Sequence, residues 1–67
     1  MDICVKFGRR VKKARKESRL SQEALAHEAG SNRTYISDVE RGTRNPSIEV
    51  VERIAKALNV TIGSLLD

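Results

Sequence analysis

Apolar residues recur along this 67-residue chain at helical spacing, and no alternating run is long enough to predict a strand. Ile3, Phe7, Val11 and Ala14 stand at i, i+4, i+8 and i+11, one apolar stripe on a helix over about residues 3–17. Ser18, Arg19 and Leu20 read as a connection, with Leu20 tucked toward the core. Ser21 suits the N-cap of a second helix, and Glu23 follows where the macrodipole favours negative charge. That helix offers Leu25, Ala26 and Ala29 to the core and ends at Gly30, the natural left-handed residue. Ser31 or Asn32 caps a third helix over about 33–41, stopped by Gly42. Pro46 biases Asn45 away from helix, so 43–46 reads as a loop. Ser47 caps a fourth helix whose Ile48, Val51, Ile54, Ala55 and Leu58 form a clear stripe, closed by Asn59. Thr61 caps a short fifth helix presenting Ile62, Leu65 and Leu66. The expected fold is all-α, a single five-helix domain over 1–67 with no internal repeat and no linker.

The joint between the second and third helices is the most informative part of this pattern. One or two residues cannot easily turn a helix back antiparallel to its neighbour; they suit a sharp crossing, as in a helix-turn-helix over about 21–41. At 100° per residue, Arg33, Thr34, Ser37, Asp38 and Arg41 share an arc of about 140° on the third helix, opposite Ile36 and Val39. Tyr35 and Glu40 border the apolar side. A face selected only for solubility favours Glu, Lys and Gln, whereas Thr and Ser are mediocre helix formers. Arg33 also opposes the helix dipole at the N-terminus. A helix that places Arg and Thr at its leading end and hydrogen-bonding groups along one face can read base edges in the major groove.

Charge supports that use. The net charge is +4 and the pI about 9.7, above the rough mark of 9 that suggests a nucleic-acid footprint. Lys6, Arg9, Arg10, Lys12, Lys13, Arg15, Lys16 and Arg19 meet only Glu17 in the same stretch. Arg41, Thr43, Arg44 and Asn45 read as clamps on the phosphate backbone, which set register without reading sequence. One Phe, one Tyr and no Trp argue against a stacking platform for single strands.

Catalytic readings find little support. His27-Glu28 is half of a zinc-protease motif, but the second histidine would fall at position 31, where Ser31 stands. There is no phosphate loop, no nucleophile–base set and no acidic metal cluster, so neither an enzyme, a metal site nor a cofactor is expected. The single cysteine, Cys4, excludes an internal disulfide and reads as a small, partly buried hydrophobe suited to a reducing cytoplasm. No signal peptide or membrane span is read, and the N-x-T tripeptides at Asn32 and Asn59 are chance matches. The initiating methionine and closing helix suggest a complete small protein.

The chain resembles the lambda-repressor/Cro-like helix-turn-helix family, also called the XRE family. The resemblance is carried by LSQEALAHEAG at 20–30, RTYISDVERG at 33–42, Asn45-Pro46 and IAKALNV at 54–60, and spans nearly the whole chain. The segment RTYIS followed by ERGTRNP is especially similar to controller proteins of restriction–modification systems. The family implies regulation of transcription, often repression, by sequence-specific binding to double-stranded DNA. It implies that Gln22 contacts a phosphate and braces the recognition helix, that Arg15 and Glu40 form a buried ion pair, and that Arg33, Thr34, Ser37 and Asp38 stand where relatives contact bases. Asp38 departs from the glutamine common in phage repressors. A carboxylate there repels phosphate, and can either accept from cytosine N4 or brace Arg33 or Arg41; bracing is preferred. Asn32 is expected at the phosphate edge, and Tyr35 is either a core-edge residue or a phosphate contact through its hydroxyl.

A domain this small buries only about 60% of the surface it exposes unfolded and offers few base contacts. Pairing as a homodimer on a partly palindromic operator answers both needs, with Ile62, Leu65 and Leu66 as the expected dimer surface. No small-molecule effector is expected. The rival reading is a protein-interaction module, which salt-insensitive binding to a protein partner would favour.

Overall fold

The computed structural model describes residues 2–67, which form α1 (Ile3–Glu17), α2 (Gln22–Glu28), α3 (Arg33–Arg41), α4 (Ile48–Leu58) and α5 (Ile62–Leu66). The described residues contain no strand. Each helix starts on a side-chain cap. Asp2, Ser21, Asn32, Ser47 and Thr61 all have extended backbones, and each accepts a hydrogen bond from a backbone N–H of the first turn. Of the two candidates for α3, Asn32 is the cap.

The first four helices also leave by one device. Arg19, Gly30, Gly42 and Asn59 carry positive φ, and the next N–H reaches back to the carbonyl five residues earlier: Leu20 to Arg15, Ser31 to Ala26, Thr43 to Asp38, Val60 to Ala55. These are Schellman closures, which satisfy orphan carbonyls and turn the chain sharply. The connection between α2 and α3 is longer than expected. Ala29, Gly30, Ser31 and Asn32 lie between the two helical segments, because the closure and the cap each need their own residues.

α3 packs against both α1 and α2, while α5 closes the bundle against α1 and α4. The core is Phe7, Val11, Leu25, Ala26, Ala29, Ile36, Val39, Ile54, Ala55, Leu58 and Leu65. Three expectations need correction. The buried side of α1 is Phe7, Gly8, Val11 and Arg15, so the stripe is rotated: Ile3 is exposed and Ala14 only half-buried. Ile48 is 83% exposed although it continues the α4 stripe. Leu65, expected on a dimer surface, is 2% exposed and belongs to the monomer's own core, leaving Ile62 and Leu66 as the exposed apolar residues of α5. In each case the periodicity defined an apolar side without saying where the neighbouring helix stops.

Gly8 sets the spacing of α1 and α3. A Cβ there would overlap the Val39 carbonyl oxygen and stand 3.0 Å from that of Glu40. Any larger residue at position 8 pushes the two helices apart.

Candidate nucleic-acid interface

The position of α3 is held from beneath. Arg15, on the buried side of α1, donates from Nε to Glu40 Oε2 at 2.6 Å and from Nη2 to Oε1 at 3.1 Å. Its Nη1 donates to the Leu20 carbonyl at 2.8 Å. This two-pronged fork matches a planar guanidinium to a planar carboxylate and fixes orientation as well as distance. The hydrogen bond to Glu40 holds the Arg15 guanidinium above its ordinary pKa, against the opposing effect of burial. Gln22 Nε2 completes the set, donating to Glu40 Oε1 at 3.1 Å. One carboxylate on α3 thus ties that helix to the start of α2 and the end of α1. The amide nitrogen of Gln22 carries two protons; one serves Glu40 and the other is available to an acceptor outside.

The opposite side of α3 faces solvent. Arg33 and Thr34 are exposed at its first turn, with Ser37 half-buried a turn later on the same side. Asn32 Oδ1 accepts from Tyr35 N at 2.9 Å, so its cap role leaves the amide NH2 for another partner. An open groove of about 1010 Å³ runs between α2 and the start of α3, lined by Gln22, His27, Ser31, Asn32 and Arg33 among others.

Asp38 has a more definite place than its two expected roles suggested. Its Oδ1 accepts from Arg41 Nη2, and its Oδ2 from Arg44 Nη2 at 3.4 Å. Among the described residues no carboxylate pairs with Arg33. Bracing therefore goes to Arg41 and Arg44. The Arg44 guanidinium also lies over the Tyr35 ring, 4.6 Å from its centroid, a cation–π contact that places half-buried Tyr35 at the base of the loop. Thr43 Oγ1 donates to the Asp38 carbonyl at 3.1 Å, and Asn45 is exposed.

Of the basic run, Arg15 points inward and Arg10 donates to the Ser64 carbonyl at 3.3 Å, linking α1 to α5. Arg9, Lys12, Lys13, Lys16 and Arg19 are exposed. The resemblance implied that Gln22 braces α3, and its amide does donate to Glu40 of that helix. Sequence reasoning missed one feature here. The Asp38–Arg41 spacing of three was legible, but the Arg44 contact depends on how the loop folds back.

A second feature lies away from this face. Ile3, Ile48, Ile62 and Leu66, all exposed, border an apolar hollow of about 180 Å³ floored by Phe7 and Val51 and edged by Cys4 and Pro46. Burial, then the nearby Asp2 charge and a hydrogen bond with Asp2, push the Cys4 thiol up from its ordinary pKa, which disfavours the nucleophilic thiolate. Among the described residues there is no group of His, Cys, Asp and Glu suited to a metal, and no helix long and apolar enough to cross a membrane.

Comparison with known proteins agrees with this geometry. Residues 11–65 match the helix-turn-helix family. The chain is 51% identical to control protein C.BamHI of Bacillus amyloliquefaciens over 67 residues, covering 98% of this chain and 83% of that protein. Among solved structures it is similar to the restriction–modification controller protein C.AhdI from Aeromonas hydrophila, with a TM-score of 0.90 and 42% identity over 92% of this chain and 94% of that one. It is also similar to the biofilm master regulator SinR in complex with DNA, with a TM-score of 0.86 and 40% identity over 91% of this chain and 98% of that one. An all-helical fold with a four-residue α2–α3 connection, an internally braced α3 and these relatives lead to one conclusion: the chain belongs to the XRE-type helix-turn-helix family of DNA-binding transcriptional regulators, which are not enzymes.

Proposed function

We propose that this chain regulates transcription as a homodimer that binds a partly palindromic operator, with α3 of each subunit in the major groove. The observation that carries this reading is the division of α3 into a side locked to α1 and α2 through Glu40 and a side left open to solvent with Arg33, Thr34 and Ser37. Arg33 is exposed at the first turn of α3, and its guanidinium suits guanine O6 and N7. Thr34 offers a methyl to thymine or a hydroxyl to a base or phosphate. Gln22 and Asn32, each with an amide proton to spare, contact phosphates on the α2 side. Tyr35 through its hydroxyl, with Arg41, Thr43, Arg44 and Asn45, does so on the loop side. Asp38 acts through its arginines and not on a base edge.

The apolar hollow bounded by Ile3, Ile48, Ile62 and Leu66 is the dimer surface in this reading, and its occupant is a second copy. At about 180 Å³ it is smaller than a typical ligand pocket of roughly 300–1,000 Å³, but large enough for a side chain. A two-fold contact presents the same patch from both subunits, so protruding isoleucines can fill reciprocal hollows. Two α3 helices then meet half-sites about one helical turn, ~34 Å, apart.

Selection from random duplex DNA tests the reading as a whole. Enriched sequences should carry two inverted half-sites about one turn apart, and binding should weaken steeply with salt. Enrichment of no sequence, or salt-insensitive binding to a protein partner alone, overturns it. Ile48→Asp should give monomers at micromolar concentration without loss of helicity, as read by analytical ultracentrifugation. An unchanged dimer moves the interface elsewhere.

A further inference from the structure

Resting on the reading of α3 and its loop as a DNA-binding surface, we propose that Asp38 is a positioning residue that sets selectivity by holding Arg41 and Arg44 in place and withholding one unit of their charge. The arrangement is specific. One carboxylate oxygen serves Arg41 and the other serves Arg44. The backbone of the same residue receives the Thr43 N–H and hydroxyl, both at 3.1 Å. Every fastening of residues 43 and 44 to α3 by hydrogen bond therefore ends on Asp38, and Arg44 is further seated on Tyr35.

Exposure shows which groups remain available. The Asp38 side chain is 21% exposed, beneath guanidinium groups carried by side chains 65% and 47% exposed. Each guanidinium has five N–H donors, and each commits one to Asp38. The rest can meet phosphate without breaking the pair. Two long side chains are thus ordered on folding instead of on binding, which favours a phosphate path that fits them. The three side chains together carry +1 where the arginines alone would carry +2. Non-specific affinity follows neutralised phosphates, so this withheld charge falls on the contribution that every sequence shares. Fixed donors reward the correct groove shape, and reduced net charge denies the same reward to random DNA.

Asp38→Asn separates this role from the others because it keeps shape and removes charge. We expect its affinity for a random-sequence duplex to rise several-fold, and the slope of log affinity against log salt to steepen by about one for each subunit bound. The ratio of affinity for the selected duplex to that for random duplex should fall about tenfold, with relaxed preference across the half-site. Asp38→Ser should give the same change in slope, so the outcome does not depend on the tolerance of asparagine. Asp38→Glu keeps the charge and should keep the wild-type slope while losing selectivity. A changed preference at one base pair with an unaltered salt slope would make Asp38 a base reader and overturn the proposal. So would variants indistinguishable from wild type. If wild-type protein binds no duplex, the failure lies in the DNA-binding reading itself, and this inference falls with it.

Discussion

Two carboxylates on α3, Asp38 and Glu40, stand two residues apart and both hold arginine, yet they do opposite kinds of work. Glu40 faces inward, its side chain 3% exposed, and accepts a fork from Arg15 on another helix. Asp38 faces outward and holds arginines of its own helix end and loop. A buried charge cannot lose its partner without a large penalty, because water is not there to replace it. An exposed pair is screened, and contributes little to stability. The same chemistry is therefore architecture on one side of the helix and adjustment of a binding surface on the other.

The sharpest way to break this contrast is Glu40→Ala. It leaves the Arg15 guanidinium buried and unpaired and frees Gln22, so we expect a loss of about 3–5 kcal/mol, much of what so small a domain possesses. Urea unfolding at pH 7 measures it; a loss below about 1 kcal/mol would equate the buried pair with a surface one. Gly8→Ala approaches the same lock from the other side. A methyl group against the Val39 and Glu40 carbonyls must separate α1 from α3 and lengthen the Arg15–Glu40 fork, at a cost of about 1–3 kcal/mol. Thermal unfolding checks it, and an unchanged midpoint would show that the two helices can slide apart without cost.

Arg33→Ala tests the outward side. Stability should stay within about 0.5 kcal/mol of wild type, while discrimination at one base pair falls by about 1–3 kcal/mol. Competition binding with single-base variants of the selected duplex measures this; uniform weakening across sequences would make Arg33 a phosphate contact. The smallest effect belongs to Asp38→Asn in the absence of DNA. Its unfolding free energy should change by less than about 1 kcal/mol. A larger loss would mean that the loop carries part of the fold and that the two carboxylates differ less than their exposure indicates.

Much of this architecture is legible in the amino-acid sequence. The bounds of α3, the caps at Ser21, Ser47 and Thr61, and the stops at Gly30, Gly42 and Asn59 depend on hydrogen bonds between residues within one turn of each other. The division of α3 into an apolar and a polar side follows from helical geometry alone. The resemblance to the family anticipated the Arg15–Glu40 pair across 25 residues of chain, which composition and spacing by themselves do not contain. Arg19 is a left-handed closure with no glycine or asparagine to announce it.

The amino-acid sequence by itself determined where helices start, where they stop and which way each is amphipathic, because caps, closures and periodicity are local physics. Tertiary structure decided how far each apolar stripe is covered. It buried Leu65, exposed Ile3 and Ile48 around a shared hollow, brought Gln22 onto Glu40 and folded Arg44 back over Tyr35 and Asp38. Those outcomes depend on the distance and rotation between helices, and a residue such as Gly8 sets them through a contact made 31 residues away in the chain, with the carbonyl of Val39.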